Sequence, residues 1–303
     1  MNTIRPLRIA LATNGAFSAI SGSLMLLNPS FIGGWLGVQA PALLRVIGLG
    51  LVAFAIYLAH QAVQRRAATW RALLASLADF AWVVGTLVLL TIRPRAFSPE
   101  GNLLVIAIAA VVGGFGAWQL WAITRAHRSR GAGEYRHCLL VDTNAQAEDL
   151  WQIVNQLGEI KSYMPSLKNS YIKDGRKPSV GVVRICEDHH GRRWSEECTS
   201  FDATNRELSL RFVTEAPDFP FPARIMRGGW KIDPTPSGSQ VMVWWEMKPK
   251  HKFVAPVLLP LLAFQVDRDL PKVIQRMAIQ TTGQGSSQHF IRSPEVRLVP
   301  HVC

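Results

Sequence analysis

LLASLADFAWVVGTLVLLTI, residues 73–92, is an apolar run interrupted by a single acid, Asp79. A hydrocarbon core of ~30 Å takes roughly 20 helical residues, so this stretch is long enough to cross one. Residues 9–27, 43–63 and 103–123 repeat the pattern. Together they predict an α-helical four-span membrane domain over residues 1–124. The first segment follows Arg5 and Arg8, as a signal peptide would. It is longer than such a peptide needs, however, and Asn14 and several serines interrupt it. With three more spans behind it, a retained first span is expected.

The chain has 303 residues and a formal net charge of +12. Two domains suit that length. Through residue 133 there are 11 Arg, no Lys and two acids, whereas the remainder holds 22 basic and 19 acidic residues. The basicity thus belongs to the membrane half, and no basic face for nucleic acid stands out. Arg5, Arg8, Arg65, Arg66, Arg71, Arg125, Arg128 and Arg130 flank one side of the spans; only Arg93 and Arg95 lie in loops on the other. This asymmetry predicts an integral protein of bacterial inner-membrane type with both termini cytoplasmic. Cys138, Cys186, Cys198 and Cys303 form no CxxC pair, which suits reduced thiols.

Asp79 lies about six residues inside its span, ~9 Å deep at 1.5 Å per residue. Arg45 is too far along its own span to pair with it. Asn14, Tyr57 and Gln119 match it in depth, one from each other span, so a polar cluster inside the bundle is expected. A lone carboxylate there costs at least ~2.5 kcal/mol and must be neutral or satisfied. Such a cluster serves either as interhelical glue or as a site for a proton or ligand headgroup.

After a basic linker at 125–133 the rhythm changes. Residues 135–141 read as a strand, and Asp142-Thr143-Asn144 offers N-cap residues for a helix through Leu150, Trp151 and Val154. Residues 180–187 and 193–201 flank a turn at His190-Gly191. Leu208, Leu210 and Phe212 alternate with charged and polar residues, as do Met226, Gly228, Trp230 and Ile232. Residues 241–247 form a last strand. Val266, Leu270, Val273 and Met277 then recur at helical spacing. Strand, helices, a run of strands and a long C-terminal helix make an α+β unit, an antiparallel sheet wrapped on that helix.

Several stretches carry a resemblance: AQAEDLW at 145–151, YMPS at 163–166, VGVVR at 180–184, WSEEC at 194–198 and WWE at 244–246. Residues 134–280 resemble the START-like helix-grip (SRPBCC) superfamily, in its polyketide cyclase/dehydrase and lipid-transport branch. The resemblance implies an apolar cavity between sheet and helix for a lipid, isoprenoid or polyketide-like ligand. It does not extend to the membrane half.

Alternation puts Phe212, Trp230 and Trp245 on the cavity side, with Trp194 a further ligand-binding candidate. Glu196 or Glu197, Arg211 and Glu246 lie within strands. Of these, Glu197, Arg211 and Glu246 are the candidates for acid–base catalysis, although strand charges more often pair at the surface. No nucleophile–histidine–acid arrangement exists, and no cofactor is expected. His189-His190 with Cys186 and Cys198 lack metal-ligand spacing, so no metal is expected. KPKHKF and the apolar run after it, residues 248–266, suggest a lid at the start of the long helix, with or without membrane contact. Residues 281–303 are polar and aperiodic, and read as a disordered tail. The function expected is a membrane-tethered domain that binds a hydrophobic ligand for transport or sensing. The alternatives are a membrane-bound cyclase or dehydratase and a regulatory module with a filled cavity; protein partners are not legible.

Overall fold

A computed structural model describes residues 4–64, 68–129, 131, 134–284 and 296–299. The chain divides into two compact units, Met1–His127 with Pro256–Leu261, and Arg128–Ala255 with the residues from Leu262 onward.

The first unit holds α1 (Arg5–Leu27), α2 (Pro29–Leu36), α3 (Pro41–Val63), α4 (Thr69–Ile92) and α5 (Pro99–Ala126). The helices α1, α3, α4 and α5 are each long and apolar enough to cross a membrane. Three of the four begin with proline at one of the first two positions, where its missing N–H costs nothing. Ser98 caps α5 by accepting from the Gly101 amide at 3.0 Å. The short α2 stops at Gly37, whose φ of +72° favours glycine. On α1 the buried positions are Leu7, Ala10, Leu11, Asn14, Gly15, Ser18 and Gly22, one stripe at spacings of three and four. Outward positions such as Val46, Ile56 and Leu103 are large, apolar and exposed, a surface suited to lipid.

At the α1–α3 crossing the backbones nearly touch. A Cβ on Gly22 would lie 2.7 Å from the Gly48 carbonyl oxygen, and one on Gly48 would lie 2.8 Å from that of Gly22. Membrane helices lack a hydrophobic drive to associate, so this closeness is what small residues contribute. Gly48→Val should therefore push the helices apart and cost about 1–3 kcal/mol. Detergent-resistance and thermal-melting measurements should register the loss, whereas Gly50→Val, where the added atom meets open space, should register none.

The second unit is a sheet of eight antiparallel strands in the order β2-β3-β4-β5-β6-β7-β1-β8. These are β1 (Tyr135–Thr143), β2 (Leu167–Ile172), β3 (Val183–Asp188), β4 (Arg193–Asp202), β5 (Glu207–Phe212), β6 (Ala223–Thr235), β7 (Gly238–Pro249) and β8 (Val296–Val299). The helix α6 (Ala147–Val154) and the part of α7 (Ala255–Gln284) from Leu262 onward complete it. Leu150, Trp151 and Val154 of α6, with Leu270, Val273, Ile274, Met277 and Ala278 of α7, pack with one face of the sheet into a single core. This is the helix-grip architecture, formed because the apolar stripe of α7 and the apolar face of the sheet each need a partner.

Strand β1 runs to Thr143, so the expected helix cap at Asp142–Asn144 moves to Gln146. Pairing with β7 through Thr143↔Ser239 holds those residues in the ladder. The segment expected to be a tail is corrected in part: α7 continues to Gln284, and Val296–Val299 pair with Thr143–Leu140 of β1. A four-residue strand on a sheet edge is too short to show periodicity in sequence. Residues 285–295 and 300–303 of that tail lie outside the described residues. The reduced-thiol expectation also needs correction: Cys186 and Cys198 are free, Cys138 is disulfide-bonded, and Cys303 lies outside the described residues.

Candidate ligand cavity

Between the sheet and α7 lies a cavity of about 230 Å³. Leu210 and Phe212 of β5, Met226 and Trp230 of β6, Trp245 and Met247 of β7, and Leu262, Val266 and Leu270 of α7 supply its apolar wall. Strand alternation explains the selection, since residues two apart share a face. Cross-strand register then aligns them: Cys198↔Leu210, Leu210↔Gly228, Gly228↔Trp245. Gly228 leaves room where a side chain would occupy the cavity floor.

One polar pair borders this cavity. Arg184 of β3 and Glu196 of β4 stand opposite each other, and both are buried. The Arg184 Nε donates to Glu196 Oε2 at 2.7 Å, the Nη2 group contacts the same oxygen, and the Trp194 indole N–H donates to Oε1 at 2.6 Å. The Nη1 group reaches the Leu157 carbonyl at 3.5 Å, a long contact. Burial works against the Arg184 charge, but the facing Glu196 carboxylate outweighs it and holds the guanidinium above its ordinary range.

Two further titratable groups lie in this region. Burial pushes the Cys186 thiol up to about 12, reinforced by the negative Glu196, with Arg184 opposing. Burial likewise raises the Tyr163 hydroxyl to about 12. Near neutral pH neither thiol nor phenol is ionised, so neither serves as nucleophile or base.

Phe212, Trp230 and Trp245 line the cavity, as alternation places them. Trp194 does not: its indole serves Glu196 and meets the Phe221 ring edge-on at 5.2 Å. The catalytic candidates fall on the opposite face. Register makes one row of Glu197↔Arg211, Arg211↔Arg227, Arg227↔Glu246 and Arg136↔Glu246. Arg211 Nη2 contacts Glu197 at 2.8 Å and its Nη1 contacts Glu215 at 2.9 Å, while Arg136 approaches Glu246 at 3.7 Å. Glu197, Arg211 and Glu246 thus form a structural charge ladder outside the cavity. The physical reason is the pleat: neighbouring Glu196 and Glu197 point to opposite faces. Arg184 is the residue that sequence reasoning left out of the site, and of the alternatives Glu196 and Glu197 it is Glu196 that faces the cavity. Their signal was the two-residue spacing Arg184/Cys186 and Glu196/Cys198, which puts each charge on the face of a buried thiol.

The lid expected at 248–266 ends within α7, where Leu262 and Val266 line the cavity. Among the described residues no group of three or more potential ligands could hold a metal ion. His189 and His190 sit at the β3–β4 turn, His189 contacting the Pro165 carbonyl at 3.1 Å.

In the helical unit, Asn14 and Gln119 both donate to Asp79 Oδ2, at 2.8 and 3.0 Å, and all three side chains are buried. Ser18 donates to Asn14 Oδ1 at 3.3 Å. Tyr57 is not part of this group; its hydroxyl donates to the Arg71 carbonyl at 3.0 Å. A tyrosine reaches well beyond its Cα, so depth along the axis alone misassigns it. Asp79→Asn should leave assembly intact, because an amide keeps an acceptor for Asn14 and Gln119. Asp79→Leu should cost about 0.6–2 kcal/mol per lost bond, read as a lower melting temperature in detergent. Equal melting of Asp79→Leu and wild type would remove any structural role for the cluster.

A family model described as polyketide cyclase/dehydrase and lipid transport matches residues 140–279. Among solved structures, norcoclaurine synthase from Thalictrum flavum, in complex with dopamine and hydroxybenzaldehyde, aligns at 17% identity and TM-score 0.40, covering 52% of this chain and 96% of that one. Ara h 8.0201 aligns at 13% identity and TM-score 0.40, over 49% of this chain and 99% of that one. A Thermobifida fusca protein aligns at 20% identity and TM-score 0.39, over 51% and 96%. Likenesses this low say nothing of ligand or activity. No curated protein matches the chain. The cavity, the grip of sheet on helix and the family match agree: residues 140–279 form a helix-grip (SRPBCC) domain of the polyketide cyclase/dehydrase and lipid transport family.

Proposed function

We propose that this protein is a membrane-anchored binding protein that holds a small hydrophobic ligand for transport or sensing. The observation that carries this reading is the cavity wall. Aromatic and aliphatic side chains surround about 230 Å³, and of the charged residues that line it Arg184 and Glu196 are joined to each other. Pockets for drug-sized ligands run from ~300 to 1,000 Å³, so this one suits a ring system or a short isoprenoid segment better than a two-chain lipid. Binding fits better than catalysis. A general acid or base must exchange a proton near neutral pH, yet burial holds the Cys186 thiol and the Tyr163 hydroxyl up at about 12. Glu196 has both oxygens engaged by Arg184 and Trp194.

The four apolar helices supply the anchor. Such an arrangement keeps a poorly soluble ligand close to the bilayer that stores it. Mass spectrometry of organic extracts from the purified full-length protein tests the reading. A hydrophobic compound at near-equal molar ratio supports it. No bound compound, together with no uptake of added hydrophobic probes, would sink it, and turnover of an added polyketide-like compound would favour the enzyme instead.

The arginine asymmetry supports a helix-grip domain on the cytoplasmic side, whereas a disulfide at Cys138 is not what a reducing cytosol favours. Reporter fusions after Gly133 and within residues 28–41 should report opposite sides, with the first cytoplasmic. Equal signals would overturn the four-span topology, and reversed ones its orientation.

A further inference from the structure

We infer that the cavity selects neutral ligands bearing one hydrogen-bond acceptor, a carbonyl above all, and rejects carboxylates and phosphates of the same shape. This inference rests on the hydrophobic-ligand reading and adds a chemical class to it. The selecting device is the Arg184–Glu196 pair.

A guanidinium has five N–H donors. Four are spoken for: Nε and one on Nη2 by Glu196, one on Nη1 by the Leu157 carbonyl at the long distance of 3.5 Å, and one by the Cys186 sulfur. Donor capacity therefore remains on Arg184, whose side chain, among the described basic residues that line the cavity, shares its face. Arg227 also borders the cavity, but its register opposite Arg211 and Glu246 puts its side chain on the other face. A ligand carbonyl can take a hydrogen bond from Arg184 without disturbing Glu196.

An anion meets different physics. The pair carries no net charge, so attraction to Arg184 is largely cancelled by repulsion from Glu196 beside it. The rest of the wall is mostly apolar, its indole N–H groups carry no charge, and burying an uncompensated charge is costly. An uncompensated arginine would have made this an acid-binding site; the partnered one makes it a donor without a field.

The experiment uses full-length protein in lipid nanodiscs, empty nanodiscs as blank, and calorimetric titration with three probes of similar shape: methyl naphthyl ketone, ethylnaphthalene and naphthoate. The ketone should bind roughly 10-fold tighter than the hydrocarbon, as one hydrogen bond from a charged donor gives. Naphthoate should be the weakest. Naphthoate equal to or tighter than the ketone overturns the inference and leaves hydrophobic binding standing, as does a ketone no better than ethylnaphthalene. Failure of all three probes overturns the binding reading itself.

Glu196→Gln frees the Arg184 charge and should reverse the order, making naphthoate the tightest. Because that variant leaves a buried cation and can fail to fold, Arg184→Met/Glu196→Leu provides the second arm. It replaces the pair with apolar groups and should bind ethylnaphthalene as wild type does while losing the ketone preference. A preference that survives in the folded double variant overturns the role of the pair.

Discussion

Arg184→Met should destabilise the helix-grip unit by about 3–5 kcal/mol, because it strands the Glu196 carboxylate in a dry interior. Both members of the pair are buried, and the indole of Trp194 alone would remain to satisfy Glu196. For a unit of this size such a loss corresponds to a fall in Tm of roughly 10 °C, or to failure to accumulate folded protein. Arg184→Met/Glu196→Leu should recover most of it, since apolar replacement of a whole buried pair is often neutral or stabilising. Thermal unfolding of the full-length variants, followed by tryptophan fluorescence, measures both. A single variant as stable as wild type would mean that water reaches the pair, and the cavity would then not be dry at this end.

Trp230→Ala should have the next largest effect, and on two observables at once. Trp230 is 7% exposed, belongs to the main core cluster and also lines the cavity. Removing so large a buried side chain costs about 3–5 kcal/mol, with the upper end reached when the surroundings cannot collapse. Here collapse is opposed by the rigid ladder with β5 and β7, in which Trp230 pairs with Leu208 and Val243. The cavity should enlarge, and retention of a bound hydrophobic compound should fall at least ~10-fold, a difference of about 1.4 kcal/mol in affinity. Trp230→Phe should restore most of the stability and part of the retention. If Trp230→Ala binds the co-purifying compound as wild type does, the wall of the ligand site lies elsewhere.

The contrast between Trp230 and Glu197 shows where sequence reading succeeds and where it stops. Trp230 sits in a clean alternation, Met226, Gly228, Trp230 and Ile232 against Arg227, Gly229, Lys231 and Asp233, and the apolar set can face only the core. Trp194-Ser-Glu-Glu-Cys198 offers no such contrast, because an acid stands on each face. Which glutamate is inside depends on β3 and β5. Arg184 and Phe212 stand opposite Glu196, and Arg211 opposite Glu197, through pairings 12 to 16 residues apart in the chain.

By itself the sequence determined the features governed by local periodicity and length. Four apolar runs of about 20 residues give four helices long and apolar enough to cross a membrane, since a hydrocarbon core of ~30 Å takes about that many helical residues. Strand alternation and the stripe on α7 likewise determined a sheet closed on a helix, together with Phe212, Trp230 and Trp245 on its inner face. Asp79, Asn14 and Gln119 could be matched because depth along a straight helix is a count of residues. Only the tertiary structure decided the Arg184–Glu196 pair, the exclusion of Glu197, Arg211 and Glu246 from the cavity, the departure of Tyr57 from the bundle cluster, and the strand at Val296–Val299. Each of these depends on which residue stands across from which, and strand register and side-chain reach are set by non-local pairing that a linear pattern does not encode.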